Sequence, residues 1–184
     1  QTITNDIDLD GEGGLVWLKR RDISRSHDLF DTNRGATKRL FSNSTSAESV
    51  DATSLTAFNS NGFALGSDSD INANLGTFAS WTFRKAPKFF DVVTYTGDGT
   101  SNRAISHSLG TTVGTILVKV TSSSSDWLVW HRSNSQNNGT ASTDNCILNL
   151  NNTQGNGSGA YIESNEFPTV PTDTNFYVGN NTAN

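Results

Sequence analysis

Periodicity constrains this chain most. No stretch of eleven or more residues carries apolar side chains at the three-and-four spacing of an amphipathic helix. Short runs rich in Val, Ile, Leu, Phe and Trp recur instead. Most of them alternate in polarity and are bounded by Gly, Asn, Asp or Ser. They lie at Leu15–Lys19, Leu75–Phe83, Phe89–Tyr95, Thr115–Val120, Trp127–His131, Cys146–Leu150 and Phe176–Val178. Thr2–Thr4 reads as part of a further strand. The best helical candidate, Ser44–Phe58, carries Ser, Thr and Asp where a helix wants Ala, Leu or Lys, and reads as loop with at most one turn. Strands at roughly ten-residue spacing with turn chemistry between them predict an all-β fold, an antiparallel sandwich (jelly-roll) or barrel, with negligible helix.

Composition excludes several classes. Ser, Thr, Asn and Gly make up about 45% of the 184 residues, and charged residues only 17%. Low charge with regular apolar runs argues against charge-driven disorder. No apolar run approaches the length of a membrane span. A net charge of -5 disfavours a general nucleic-acid binder. The single cysteine, Cys146, excludes an internal disulfide and a thiolate zinc cluster. The chain has no Met and hence no translation start of its own, so it reads as a processed product or a piece of a longer polypeptide.

The sequence also resembles itself. Ile3-Thr4-Asn5 is similar to Ile105-Ser106-His107, and Gly14–Lys19 to Gly114–Lys119. Asp28-Leu29-Phe30 is similar to Trp127-Leu128-Val129, and Phe63–Gly66 to Phe176–Gly179. The order is kept, at offsets of 99 to 113 residues. These matches imply a duplicated unit of about 100 residues, with sandwich repeats at 1–86 and 87–184 joined at Arg84–Lys88, where Pro87 removes a ladder donor. Phe89–Gly97 opens the second copy without a counterpart in the first. Thr77–Phe83 closes the first without a counterpart in the second. Each copy thus reads as one strand short, to be completed by the continuing chain or by a neighbouring subunit.

The segments GLVWLKRRD, LFDTNRGATK, SLTAFNSNGFALG, FFDVVTYTGDGT, ISHSLG, ILVK and DWLVWHRS resemble a repeat found in tail-fibre-like virion proteins of bacteriophages, marine ones especially. The resemblance covers residues 1 to 134 and 176 to 184, while Ser135–Asn175 departs from it. It implies a lectin-like β-sandwich on a virion appendage, outside the host cell, and offers no catalytic residue to carry over.

Few residue constellations could carry chemistry. Asp8, Asp10 and Glu12, and Asp68 with Asp70, place oxygen ligands at alternate loop positions, as Ca²⁺ requires. Neither loop has the distant bidentate Glu, and ordinary Asp turns explain both equally. His27, His107 and His131 share no metal-ligand spacing, and no nucleophile elbow is present. No enzyme, cofactor or metal is expected. Seven of the 13 basic residues fall between Lys19 and Arg39, offset by Asp22, Asp28 and Asp31. Arg forks there suit an anionic glycan or lipopolysaccharide phosphate, but the strip reads first as a solvated hairpin with cross-strand ion pairs. Asn61-Gly62 and Asp98-Gly99 are turn dipeptides.

A sugar site needs an exposed aromatic face flanked by hydrogen-bonding groups. Trp127 and Trp130 have opposite strand parity, so one is expected in the core and the other exposed or at an interface. The ligand-binding set read from sequence is Trp127, Trp130, Arg132, Asn137 and Asn138, with Ser133–Thr143 and Thr153–Ser158 as adaptable loops. Trp17 and Trp81 are expected in the core or between subunits. The functional expectation is a non-enzymatic virion surface protein that attaches to host-surface glycan, assembled as a homo-oligomer such as a trimer. The alternative is a purely structural capsid-decoration or fibre-shaft module that binds other virion proteins by strand addition. Neither version engages nucleic acid or a membrane.

Overall fold

The computed structural model describes residues 1–132, 146–147 and 167–180. It is nearly all β, with several antiparallel sheets. The one helical stretch among the described residues is a single turn, α1 (Ser69–Asn72), capped by Asp68, whose carboxylate accepts from the Asp70 N–H at 2.9 Å. The chain divides into two compact units, Gln1–Thr94 and Tyr95–Asn184.

In the first unit, β1 (Thr2–Thr4), β7 (Gly62–Leu65) and β6 (Leu55–Asn59) form a three-stranded sheet. The second sheet has five strands in the order β5 (Ser49–Val50), β4 (Lys38–Phe41), β3 (His27–Asp31), β2 (Gly14–Arg20) and β8 (Phe78–Arg84). Alternation along β2 explains the layering. Gly14, Val16 and Leu18 are buried, whereas Leu15, Trp17 and Lys19 on the opposite face are only half-buried. Val16 and Leu18 join Phe30 from the five-stranded sheet and Leu55, Phe63 and Leu65 from the three-stranded one in a single core, completed by Leu9 and Ile71. Burying these side chains is the main stabilising term of the unit.

The Asn61-Gly62 signal lies in the β6–β7 hairpin, whose two-residue loop is Ser60-Asn61. Gly62 has φ +147°, and a Cβ there would overlap the Ile3 carbonyl oxygen, so β1 can approach β7 only because this residue is glycine.

Three expected elements differ. Phe89–Tyr95 is not a strand: the chain reverses at Ala86–Phe90 with Lys88 at φ +63°, and side chains anchor the segment around this turn. Phe89 and Phe90 lie against Phe83, with ring centroids 6.5 and 5.5 Å away, and Asn33 Nδ2 donates to the Val92 carbonyl at 2.8 Å. These contacts lie within the first unit, which runs to Thr94, whereas the sequence placed the junction at 86/87. Leu75–Phe83 becomes strand only from Phe78, because Leu75, at φ +61°, belongs to a turn. The Ser44–Phe58 loop contains β5 and most of β6.

In the second unit, β10 (Thr115–Lys119), β11 (Trp127–His131) and β12 (Cys146–Ile147) make one sheet, and β9 (Arg103–Ser106) pairs with β13 (Asn175–Val178). Ile105, Val113, Ile116, Val118, Leu128, Trp130, Phe167, Phe176 and Val178 are among its buried side chains. Two pairings of the first unit recur here. Ile3 opposes Phe63 on β1 and β7, and Ile105 opposes Phe176 on β9 and β13. Lys19 opposes His27 on β2 and β3, and Lys119 opposes Trp127 on β10 and β11. The Thr32 N–H reaches the Gly14 carbonyl and the Arg132 N–H the Gly114 carbonyl, both at 3.0 Å. These bonds correct the match of Asp28 with Trp127 by one residue: His27 corresponds to Trp127, Asp28 to Leu128 and Phe30 to Trp130.

Candidate functional site

The exposed-Trp expectation fails on β11. Trp127 is 8% exposed and Trp130 is 1% exposed. β11 lies between β10 and β12, and Trp127, Leu128, Val129 and Trp130 are all buried, so both faces of the strand are covered. Parity separates a wet face from a dry one only when one face meets solvent. Arg132 is exposed just past the end of β11. Asn137 and Asn138, and both adaptable loops, lie outside the described residues.

The aromatic surface forms instead on the outer face of the five-stranded sheet. Register sets Trp17 of β2 opposite Trp81 of β8 and opposite Leu29 of β3, with His27, opposite Lys19, diagonal to Trp17. The Trp17 indole N–H donates to His27 Nδ1 at 3.0 Å. The Trp17 and Trp81 rings meet edge to face, 5.9 Å between centroids and 63° between planes. Trp81 is 47% exposed. Because Nδ1 accepts, neutral His27 carries its proton on Nε2, the ring's remaining donor. Burial first, then the Lys19 charge, holds the His27 imidazole below its ordinary value, so it is neutral at neutral pH and keeps Trp17 fixed. Beyond this row the face continues through Leu15 and Phe83 to the Phe89 and Phe90 rings.

The sequence held the signal for this row. Trp17 shares parity with Lys19 and not with Val16 and Leu18, and an outward Lys marks the outer face of a strand.

Within the basic run from Lys19 to Arg39, Arg21 and Arg25 are exposed, whereas the Arg34 and Arg39 side chains are withdrawn from solvent. Asp28 opposes Leu18 on one side and Phe41 on the other, which puts it on the core-facing side of the sheet, and Arg39 shares parity with Phe41. Arg39 is 8% exposed and Asp28 1% exposed. The Arg39 guanidinium donates to Asp28, to Asp68 at 3.0 Å, to Asp51 at 3.3 Å and to Asp70 at 3.4 Å, and it lies over the Phe41 ring. Arg25 adds a second guanidinium on Asp70. Burial pushes the Asp28 carboxyl up to about 6 against the pull of Arg39. On the opposite face Arg34 joins Asp31, Glu48 and the Leu29 and Lys38 carbonyls.

These arrangements account for the acidic loops. Asp68 and Asp70 hold arginines, and Asp8 Oδ1 accepts from the Gly11 N–H at 2.7 Å in an ordinary Asp turn. Among the described residues no cluster of His, Cys, Asp or Glu is arranged to hold a metal ion, and no helix is long and apolar enough to cross a membrane.

A family model described as Domain of unknown function (DUF7483) matches residues 5–184, and the chain belongs to that family. No curated protein and no solved structure matches the chain.

Proposed function

We propose that this chain is a non-enzymatic surface module of a bacteriophage virion appendage, of the tail-fibre type, that contributes to host attachment by binding glycan on the His27–Trp17–Trp81 row. The observation that carries the reading is Trp81, half-exposed and braced by Trp17 on a rigid sheet. An indole face held this way suits the C–H face of a sugar ring, and the neighbouring His27 N–H and Lys19 suit its hydroxyls. The row lies on paired strands rather than on a loop, so little ordering is lost on binding. The resemblance of the GLVWLKRRD and LFDTNRGATK segments, which carry Trp17 and Phe30, to phage fibre repeats supports the location.

The finer fold belongs to the same proposal: two tandem sandwich units of one plan, lectin-like, one around each core. Support comes from the paired strands β1·β7 with β2·β3, and β9·β13 with β10·β11, which repeat at the same relative positions.

A glycan array of host-surface polysaccharides, probed with the full chain, tests the reading. The chain is expected to bind, and Trp81→Ala to lose at least about tenfold in affinity while remaining folded, because Trp81 contributes contact area outside the core. A blank array, or binding indifferent to Trp81→Ala, would contradict the glycan role. Release of new reducing ends from a bound polysaccharide would contradict the non-enzymatic part.

A further inference from the structure

β8 is a seven-residue edge strand, and among the described residues no strand pairs its outer side. Long edges are normally blunted by a Lys, a Pro, a bulge or an inward charge. β8, Phe78-Ala79-Ser80-Trp81-Thr82-Phe83-Arg84, has none of these before its last residue, and its ladder to β2 runs without a register shift. The flanking bonds fix the phase of that ladder. Lys85 N–H donates to the Gly13 carbonyl at 2.9 Å and Arg21 N–H to the Thr77 carbonyl at 2.8 Å. Residues 77, 79, 81, 83 and 85 therefore bond to β2, and the N–H and C=O groups of Phe78, Ser80, Thr82 and Arg84 point away from the sheet.

We propose that β8 pairs antiparallel with β8 of a second copy of this chain, about a two-fold axis at Trp81. Outward groups lie on even-numbered residues, so a dyad register must pair even with even. Centring it on Trp81 does this and is the register that pairs all seven residues. Ser80 then opposes Thr82, Phe78 opposes Arg84, Ala79 opposes Phe83 and Trp81 opposes its own copy. Arg84, the one charged residue of β8, faces the Phe78 ring of the other copy and not its own copy. The two outer faces join into one, with Trp17 and Trp81 of each copy in a continuous row. The interface is isologous and closed, which limits assembly to a dimer.

Pairing at β8 does not depend on glycan binding. Its test is sedimentation velocity of the full chain at concentrations up to about 1 mM, a range that reaches weak edge-strand contacts. The wild-type chain is expected to pass from monomer to dimer. Ser80→Pro removes an outward N–H, leaves the β2 ladder intact and is tolerated on an edge; it is expected to stay monomeric with an unchanged melting curve. A second measurement reads the register whether or not Ser80→Pro folds. In a Cys146→Ser background, Trp81→Cys is expected to form an intermolecular disulfide on mild oxidation, because dyad-related residues of a non-hydrogen-bonded pair bring their Cα atoms to about 4.5 Å. Ala79→Cys, about four residues out of step with its own copy in this register, is expected not to. A monomer throughout the range, a trimer, a Ser80→Pro dimer or equal cross-linking at both positions would overturn the inference. A monomer that still binds glycan would overturn it while leaving the proposed function standing.

Discussion

Arg39 and Asp28 set a charge pair beside an apolar core, and its energy depends on both partners staying. Asp28 Oδ2 is buried with no hydrogen-bond partner, while Oδ1 takes the Arg39 Nε–H. Removing the cation leaves Asp28, Asp51, Asp68 and Asp70 facing one another. Arg39→Met is expected to cost about 3–5 kcal/mol at neutral pH, and less near pH 5. Asp28→Asn costs less, since Arg39 keeps three carboxylates. The sign of the pH effect is set by the Asp28 carboxyl. Its folded value of about 6 lies above its ordinary 3.8, so the folded state holds the proton more tightly than the unfolded state. Its contribution to stability therefore falls as pH rises through the window from 3.8 to about 6 and is flat on either side. Urea melts across that window should show the fall in the wild-type chain and lose it in Asp28→Asn. Parallel pH curves for the two proteins would contradict this assignment. Little of the cluster was legible. Seven basic residues in a short run suggest solvent, and only the shared parity of Arg39 with Phe41 hinted that one of them points inward.

Strand register decides which side chains meet, and single residues set it. At β1·β7, Gly62 admits the β1 backbone, so Gly62→Ala is expected to destabilise the first unit by more than about 1 kcal/mol. Faster amide exchange in Thr2–Thr4 and Phe63–Leu65 than elsewhere should accompany the loss, whereas unchanged exchange there would show that β1 does not depend on this glycine. Strands with one wet face were readable from the sequence, as β2, β10 and β13 show. Phe89–Tyr95 misled because its apolar density reflects aromatic packing onto Phe83 rather than a ladder. The slip at β11 has a related cause. Leu29-Phe30 and Leu128-Val129 match in hydropathy, but the backbone bonds at Gly14–Thr32 and Gly114–Arg132 pair strands one residue away from that match.

Across the whole molecule, two strand pairings recur with two kinds of interior. The first unit holds Asp28 where the second holds Leu128, and Phe30 where the second holds Trp130. An apolar residue at the position of a buried charge is an ordinary and often stabilising exchange. The aromatic side chains differ in place as well. Tryptophans in the second unit fill the core, and those in the first stand on the outer face. Indole N–H signals in a nuclear magnetic resonance titration with a bound host glycan test this most directly. The Trp17 and Trp81 signals are expected to move on saturation while those of Trp127 and Trp130 stay in place; movement confined to Trp127 and Trp130 would contradict a glycan site on the outer face.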